Sequence, residues 1–202
     1  MARMKTPEAI LSYPNLFQPR AASEGADPKY SCTLIFTEGT DISELKKAAI
    51  AKLKEKWGDK TAAMLKAGSL NTPFRTDTEA KGYPAGTFIN VRSNDKPGVV
   101  TLVPGSDGKP SVLTDESKIY AGAIVRATID PYWYDKSGNK GVTFGLGNVQ
   151  LIRDGDRLDG RASAEDEFDA DPDSVADLSD LDTGEAPAEV TEDEDQLADL
   201  LG

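Results

Sequence analysis

Aromatic and cationic side chains that alternate along one stretch, Ala121 to Ile152, are the residues of this chain best suited to chemistry. Successive side chains of a strand point to opposite faces, so residues two positions apart share a face. One face of the strand predicted from Ala123 to Tyr134 carries Val125, Ala127, Ile129 and Trp133. The other face carries Arg126, Thr128, Tyr132 and Tyr134. Aromatic rings stack on any base and arginines neutralise phosphates, so this second face predicts binding of single-stranded nucleic acid.

The candidate nucleic-acid contacts extend beyond this strand. The full set is Tyr132, Tyr134, Arg126, Phe88, Arg92, Lys140, Trp133 and Tyr83. Trp133 shares the face of Val125, which favours a place in the core over a binding role. For Phe88 and Arg92 the pattern fits a binding face and an ordinary protein face equally, since aromatic residues also fill cores and arginines also solvate surfaces.

Catalytic chemistry is not expected of this chain. It contains no histidine, which removes the commonest general base and every Ser-His or Cys-His nucleophile. Cys32 is the single cysteine, so neither an internal disulfide nor a cysteine-based metal cage can form. The acidic residues lack the spacing of a metal-binding loop, and no phosphate-binding P-loop or GxGxxG motif occurs. We therefore expect no enzyme activity, no metal and no cofactor.

A long hairpin is the element that must position the alternating face. Asp135 to Lys140 predicts a turn, because Gly138 supplies a positive φ. Val142 to Ile152 predicts the returning strand. Gly145 and Gly147 interrupt its alternation, which indicates a bulge or sharp bend.

Further strands and a helical insert complete the prediction. Thr6 to Phe17 predicts an edge strand that leads into a turn, because it contains two prolines. Lys29 to Thr37 alternates, with Tyr30, Cys32, Leu34 and Phe36 expected in the core. The remaining predicted strands are Thr87 to Ser93, Val99 to Val103 and Ser111 to Leu113.

Two helices are predicted at about residues 41–67. Asp41 to Trp57 carries one apolar stripe of Ile42, Leu45, Ala49, Leu53 and Trp57, begins with a pattern like a capping box at Asp41 and Glu44, and ends at Gly58. Asp59 to Ala67 predicts a shorter helix. Six or seven strands with one helical insert indicate a mainly β protein, a partly open barrel of the oligonucleotide-binding (OB) type.

Charge divides the chain into two segments. The net charge is −12, but Ala164 to Gly202 holds 16 of the 35 acidic residues and no lysine or arginine. Met1 to Ser163 therefore holds 23 basic and 19 acidic residues. We predict an OB-type domain that binds single-stranded nucleic acid at 1–163 and a disordered acidic tail at 164–202, because a one-signed block with few aromatics cannot bury enough apolar surface to fold. A predicted partner-binding motif near the end comprises Leu197, Asp199, Leu200 and Leu201.

Several motifs resemble a family of bacteriophage single-stranded DNA-binding proteins. They are YPNLFQP (Tyr13 to Pro19), KYSCTLIF (Lys29 to Phe36), KWG (Lys56 to Gly58), IYAGAIVRATI (Ile119 to Ile129) and YDKSGNKGVTFGLGNVQLIRDGDRL (Tyr134 to Leu158). The resemblance covers Met1 to Phe168 and extends more distantly to the T7-type phage proteins. It implies an OB fold, protection of single strands in phage replication and recombination, and an acidic tail that competes with DNA and docks replication partners. T7-type proteins end in an aromatic residue, whereas this chain ends in Leu-Leu-Gly.

These features together predict a phage-type protein that coats single-stranded DNA without sequence preference, in the cytoplasm of an infected bacterial host. The expected partners are single-stranded DNA and phage or host replication proteins. No apolar run of membrane-span or signal length occurs, so no membrane contact is expected. Two alternatives remain. An acidic DNA mimic or inhibitor would carry its acids on the folded body, and a metal-dependent nuclease would need clustered carboxylates.

Overall fold

The computed structural model describes residues 3–136 and 138–158, which contain eight β-strands and two α-helices. The strands are β1 (Met4–Lys5), β2 (Ala9–Arg20), β3 (Lys29–Thr37), β4 (Gly86–Ser93), β5 (Val99–Pro104), β6 (Pro110–Val112), β7 (Ile124–Lys136) and β8 (Asn139–Arg153). The helices are α1 (Ser43–Trp57) and α2 (Lys60–Lys66). Predictions for the boundary at 163, the acidic tail and Leu197, Asp199, Leu200 and Leu201 lie outside the described residues. Neither described helix has the length and apolar character needed to cross a membrane.

Five of these strands form a barrel in the order β7-β2-β3-β4-β8, and β8 pairs back to β7. The β4–β8 pairing is parallel, and the other pairings in the ring are antiparallel. Two of the pairings are short, since β2 meets β7 at Ala9 and Ile10, and β4 meets β8 at Val91 and Arg92. The result is a partly open five-stranded barrel of the OB type, which confirms the predicted fold class. One strand outside the ring, β1, is only two residues long and pairs with β7, and the sequence did not indicate it.

The predicted helical insert packs against the barrel strands β7 and β8. Leu45, Ala49 and Leu53 are buried, which confirms the predicted apolar stripe. The helix ends as expected at Gly58, which has a φ of 55° and donates its N–H to the Lys54 carbonyl. The start differs from a capping box. Asp41 accepts a hydrogen bond from the Ser43 backbone N–H at 2.9 Å, while Glu44 pairs with Lys47.

The first long strand corrects a prediction. It is not an edge strand ending in a turn, because β2 pairs with β3 on one side and β7 on the other and continues to Arg20. The register shifts between Ser12 and Asn15, which accommodates Pro14, since proline has no N–H to donate to a ladder. Tyr13 takes a positive φ of 45° at this shift.

The predicted hairpin is formed by β7 and β8, which pair from Ile124 to the turn at Lys136 and Asn139. Gly138 in the turn has the expected positive φ, at 80°. The register shifts opposite Gly147, so the predicted bulge is confirmed there. A Cβ atom on Gly147 would lie 2.4 Å from the Thr128 Oγ1 and 2.8 Å from the Thr128 backbone oxygen, so a side chain there would require the backbone to shift. A bulge bends its strand and increases the local twist, which lets the long hairpin follow the curvature of the barrel.

Candidate nucleic-acid interface

A cleft of about 550 Å³ opens on the outer face of the barrel, between β4, the β7–β8 hairpin and the segment 71–75. We call it the tyrosine cleft. The side chains important for its chemistry are Arg75, Asn90, Arg92, Tyr132, Tyr134 and Thr143. Three separate stretches of sequence therefore meet at one concave surface.

Strand alternation positions two of the three walls. On β4, Ile89 and Val91 are buried in the core, so Asn90 and Arg92 face outward. On the hairpin, Tyr132 lies directly opposite Thr143, and both line the cleft. Tyr132 is 44% exposed, which leaves much of its ring open to a ligand.

The third wall is attached to the hairpin by backbone contacts. The Asn71 N–H donates to the Lys140 carbonyl at 2.9 Å, and the Val142 N–H donates to the Asn71 carbonyl at 3.0 Å. A Cβ atom on Gly141 would lie 2.2 Å from that Asn71 oxygen, so this approach requires glycine. Four residues on, the Arg75 backbone exchanges two hydrogen bonds with Phe88 on β4. These contacts hold Arg75 between the hairpin and β4.

The charges of the cleft favour an anion. Within the described residues, Arg75 and Arg92 are in none of the salt bridges, whereas Arg126 is paired with Glu8. Burial raises the pKa of the Tyr132 phenol above its ordinary value, and nearby Asp130 and Tyr134 add to the rise while Arg92 opposes it. Tyr132 is therefore neutral at physiological pH, and the cleft presents neutral rings beside guanidinium groups. Such a surface can stack bases and neutralise phosphates.

The structure brings Tyr132, Tyr134 and Arg92 of the predicted set together in the cleft. Arg126 lies elsewhere. It is six residues before Tyr132 on the same strand, which corresponds to about 20 Å. It donates to the Glu8 carboxylate at 3.0 Å and lines a smaller depression with Lys5 and Gln150. Lys140 is paired opposite Asp135, which places it on the hairpin face that carries Trp133.

The burial and contacts of the aromatic candidates differ from those that alternation predicts, as Phe88, Tyr83 and Trp133 show. Phe88 is on the outer face of β4 as predicted, yet it is 4% exposed, because the Tyr83 ring packs edge-on against it at 5.4 Å. A base cannot stack on Phe88 in this arrangement. Tyr83 is half-buried and donates its hydroxyl to Ser12 Oγ at 3.1 Å.

Trp133, which the alternation predicts in the core, is instead 38% exposed. Its ring packs edge-on against Trp57 at the end of α1, with 6.4 Å between centroids. Lys56 Nζ lies 4.3 Å from the centre of the Trp133 ring. The tryptophan follows the apolar face of β7 to a point beyond the closed part of the barrel, where the helix end covers one side of it. Its contacts support the hairpin from the face opposite the tyrosines.

Arg75, Asn71 and Asn90 are cleft residues that were not among the predicted contacts, although strand alternation places Asn90 on the outer face of β4 with Arg92. The segment from 68 to 86 has no strand or helix period, so nothing in it indicated which side chains would face the barrel. The Phe74-Arg75 pair, an aromatic next to a cation, was the one local signal. Among the described residues, no group of three or more acidic or cysteine side chains is placed to hold a metal ion.

Comparison with known proteins gives one family. A family model described as the single-stranded DNA-binding protein of Enterobacter phage Enc34 matches residues 2–179. The chain is 32% identical over 177 residues to putative protein p50 of Acyrthosiphon pisum secondary endosymbiont phage 1, with 83% of this chain and 92% of that protein covered.

Two kinds of solved structure share the fold. The single-stranded DNA-binding protein of bacteriophage Enc34, in complex with single-stranded DNA, matches with a TM-score of 0.61 and 20% identity over 77% of this chain and 89% of that one. The single-stranded DNA-binding protein gp2.5 of bacteriophage T7 matches with a TM-score of 0.56 and 11% identity over 85% of this chain and 99% of that one. At these identities the likeness concerns the fold of the barrel.

Proposed function

The chain belongs to the phage single-stranded DNA-binding protein family that includes the Enterobacter phage Enc34 protein, and from this membership we propose that it binds single-stranded DNA in the tyrosine cleft. The observation that carries the proposal is the meeting of Tyr132, Tyr134, Arg75 and Arg92 in one open cleft. Bases stack on the tyrosine rings and adjacent phosphates pair with the guanidinium groups. A duplex keeps its bases stacked on one another, so it is excluded from the rings.

Binding in this cleft is independent of base sequence. Stacking accepts any base because every base has a π-face. Asparagine reads adenine when both its amide groups are free to pair. Here Asn71 Nδ2 donates to Asn139 Oδ1 at 2.7 Å, and Asn90 Oδ1 accepts from Thr33 Oγ1 at 2.7 Å. The amides of the cleft are thus engaged with the protein, which leaves little for reading a sequence.

The protein acts by stoichiometric coating and not by turnover. Its place of action under this proposal is the cytoplasm of an infected bacterium, where single strands are exposed during phage replication and recombination. Replication proteins of the phage or the host are its protein partners, through the acidic segment 164–202. Family membership supports the binding of single-stranded DNA, and the one-signed charge of the segment supports its role in docking.

The acidic segment also acts as an intramolecular competitor of DNA. It carries 16 carboxylates and no cation. The last described residue, Leu158, donates its N–H to the Ala121 carbonyl at 3.0 Å, so the described part of the chain ends against the barrel. Tethering gives the acids an effective concentration near the cleft of up to about millimolar order. Single strands displace them by stacking, whereas a duplex lacks that contribution.

Titration of fluorescent oligo-dT and of a matched duplex tests the proposal, with the full chain and with a variant ending at Ser163, each at two salt concentrations. We expect the full chain to prefer the single strand, and its affinity to fall with salt by about 0.7 in logarithmic slope per phosphate neutralised. Truncation raises both affinities, and the duplex affinity by the larger factor, with smaller effects at high salt. Equal affinity for both DNA forms, or an affinity that ignores salt, contradicts the proposal. Unchanged binding after truncation removes the competition and leaves partner docking as the role of the segment.

A further inference from the structure

We propose that Tyr13 forms a second base-stacking subsite, and that bound DNA runs from the tyrosine cleft across β3 to reach it. This inference rests on the proposed function and extends it to a new part of the surface. A second cleft of about 460 Å³, here the Tyr13 cleft, opens beside the register shift of β2. The side chains that matter there are Tyr13, Asn15, Arg20, Lys81 and Tyr83. The composition is again aromatic, cationic and amide.

The backbone at Tyr13 displays the ring at a conformational cost. Among residues 3–136 and 138–158, Tyr13 is the one residue other than glycine that has a positive φ, at 45°. A side chain with a Cβ rarely adopts this region, and a residue before proline is restricted further. The conformation places the ring outward, where it is 67% exposed, more than any other aromatic side chain of the described residues. Strain that exposes a large apolar ring to water is typical of a ligand-binding position.

The fold itself does not use the Tyr13 ring. Within the described residues its hydroxyl makes no hydrogen bond and its ring makes no aromatic or cation contact. The strand is held instead by its neighbours, since Leu11 and Leu16 are fully buried. An exposed ring without packing partners contributes little to folding, so a structural role does not account for it.

A polar path connects the two clefts. On the outer face, Asn15 of β2 lies opposite Ser31 of β3, and Ser31 lies opposite Arg92 of β4. Asn15 lines the Tyr13 cleft and Arg92 lines the tyrosine cleft. Asn15 Nδ2 donates to Ser31 Oγ at 3.3 Å. The separation is two strand spacings, about 10 Å, and no acidic residue stands in this row.

Cations continue along this path. Arg20 and Lys81 belong to the Tyr13 cleft, and within the described residues neither has a carboxylate partner. They share a cleft with Tyr13, as Arg75 and Arg92 share the first cleft with Tyr132 and Tyr134. A single DNA strand that occupies both clefts therefore meets an aromatic ring and a cation at each end. The length of DNA needed to do so falls within the site size of about 4–16 nucleotides that is typical of one OB barrel.

The test uses the full chain, three variants and oligo-dT of about 2 and about 16 nucleotides, because about 2 nucleotides are too short to span the separation of the clefts. Tyr13→Asn removes the ring, and asparagine tolerates a positive φ. Tyr13→Phe keeps the ring, and Tyr132→Ala removes a ring from the first cleft. We expect Tyr13→Asn to weaken binding of the long oligonucleotide about 5- to 150-fold, and of the short one less than twofold. Tyr13→Phe binds both as the parent does.

Melting temperatures separate binding from folding. Tyr13→Asn is expected to melt at the temperature of the parent or above it, because it relieves strain and removes no packing. Parental binding of the long oligonucleotide by Tyr13→Asn, together with weakened binding by Tyr132→Ala, overturns the Tyr13 subsite and leaves the tyrosine cleft in place. A lowered melting temperature with proportionate loss for both lengths also overturns it, in favour of a structural role. Parental binding by Tyr132→Ala instead refutes the tyrosine cleft.

Discussion

The salt dependence of DNA affinity should report which arginines meet phosphate. Arg75 and Arg92 line the tyrosine cleft, and the described residues provide neither with a carboxylate partner. Replacing each with glutamine keeps most of the side-chain volume and removes the charge. Each phosphate of a single strand that the protein no longer neutralises should reduce the slope of log affinity against log salt by about 0.7. The double variant Arg75→Gln/Arg92→Gln should therefore have a slope shallower by about 1.4, so a fourfold rise in salt costs it roughly sevenfold less affinity than it costs the parent.

Arg126→Gln is the matched control for this experiment. Arg126 shares the strand of Tyr132, but it is paired with Glu8 at 3.0 Å, with its side chain 46% exposed. Loss of an exposed pair should change the free energy of unfolding by about 0–1 kcal/mol and leave the salt slope unchanged. Fluorescence anisotropy of labelled oligo-dT at four or more salt concentrations measures the slopes. Parental slope in the double variant, or a reduced slope in Arg126→Gln, would show that phosphates follow a different path.

Three further outcomes follow from the structure. Trp133→Ala should lower the free energy of unfolding by roughly 2 kcal/mol, which is less than the usual cost of losing a buried aromatic because the ring is partly exposed. It should change DNA affinity less than twofold. A loss of affinity without a loss of stability would show that a base stacks on Trp133. Gly141→Ala should weaken DNA binding, because its Cβ would displace the Asn71 backbone and with it the segment 71–75 that holds Arg75 in the cleft. Gly145→Ala is the control, because its Cβ meets only the movable Asp130 carboxylate, at 3.2 Å. The control should bind DNA more tightly than Gly141→Ala. Burial raises the pKa of the Cys32 thiol to about 12, so at pH 8 about one thiol in ten thousand is ionised and Ellman's reagent should react in denaturant but hardly at all with the native protein; rapid native reaction would place Cys32 outside the core.

Alternation in the sequence predicted the elements that carry their own period. The hairpin of β7 and β8, the outward direction of Arg92 on β4 and the buried stripe of α1 all follow from local spacing. Glycine chemistry predicted the turn at Gly138, where the backbone has a positive φ, and the bulge at Gly147, where a Cβ atom would collide with Thr128. These features together were sufficient for the OB barrel.

Alternation could not predict how far along a strand a residue lies from the cleft, or which strand residues a loop would cover. Alternation assigned Arg126 and Tyr132 to one face but did not show that about 20 Å and a Glu8 ion pair separate Arg126 from the cleft. Phe88 was assigned to the outer face, where Tyr83 from an aperiodic segment covers it. Arg75 is held in the cleft by backbone hydrogen bonds to Phe88. Nothing in the sequence around either residue indicates that these two backbones pair.

Photo-crosslinking of oligo-dT that carries 5-iododeoxyuridine, followed by mass spectrometry of the cross-linked peptides, tests the central claim most directly. Stacking on the tyrosine cleft predicts adducts on Tyr132 and Tyr134 in the full chain, and their loss when unlabelled oligo-dT competes. Adducts confined to Trp133 and its neighbours on the opposite hairpin face, with none on Tyr132 or Tyr134, would contradict the account.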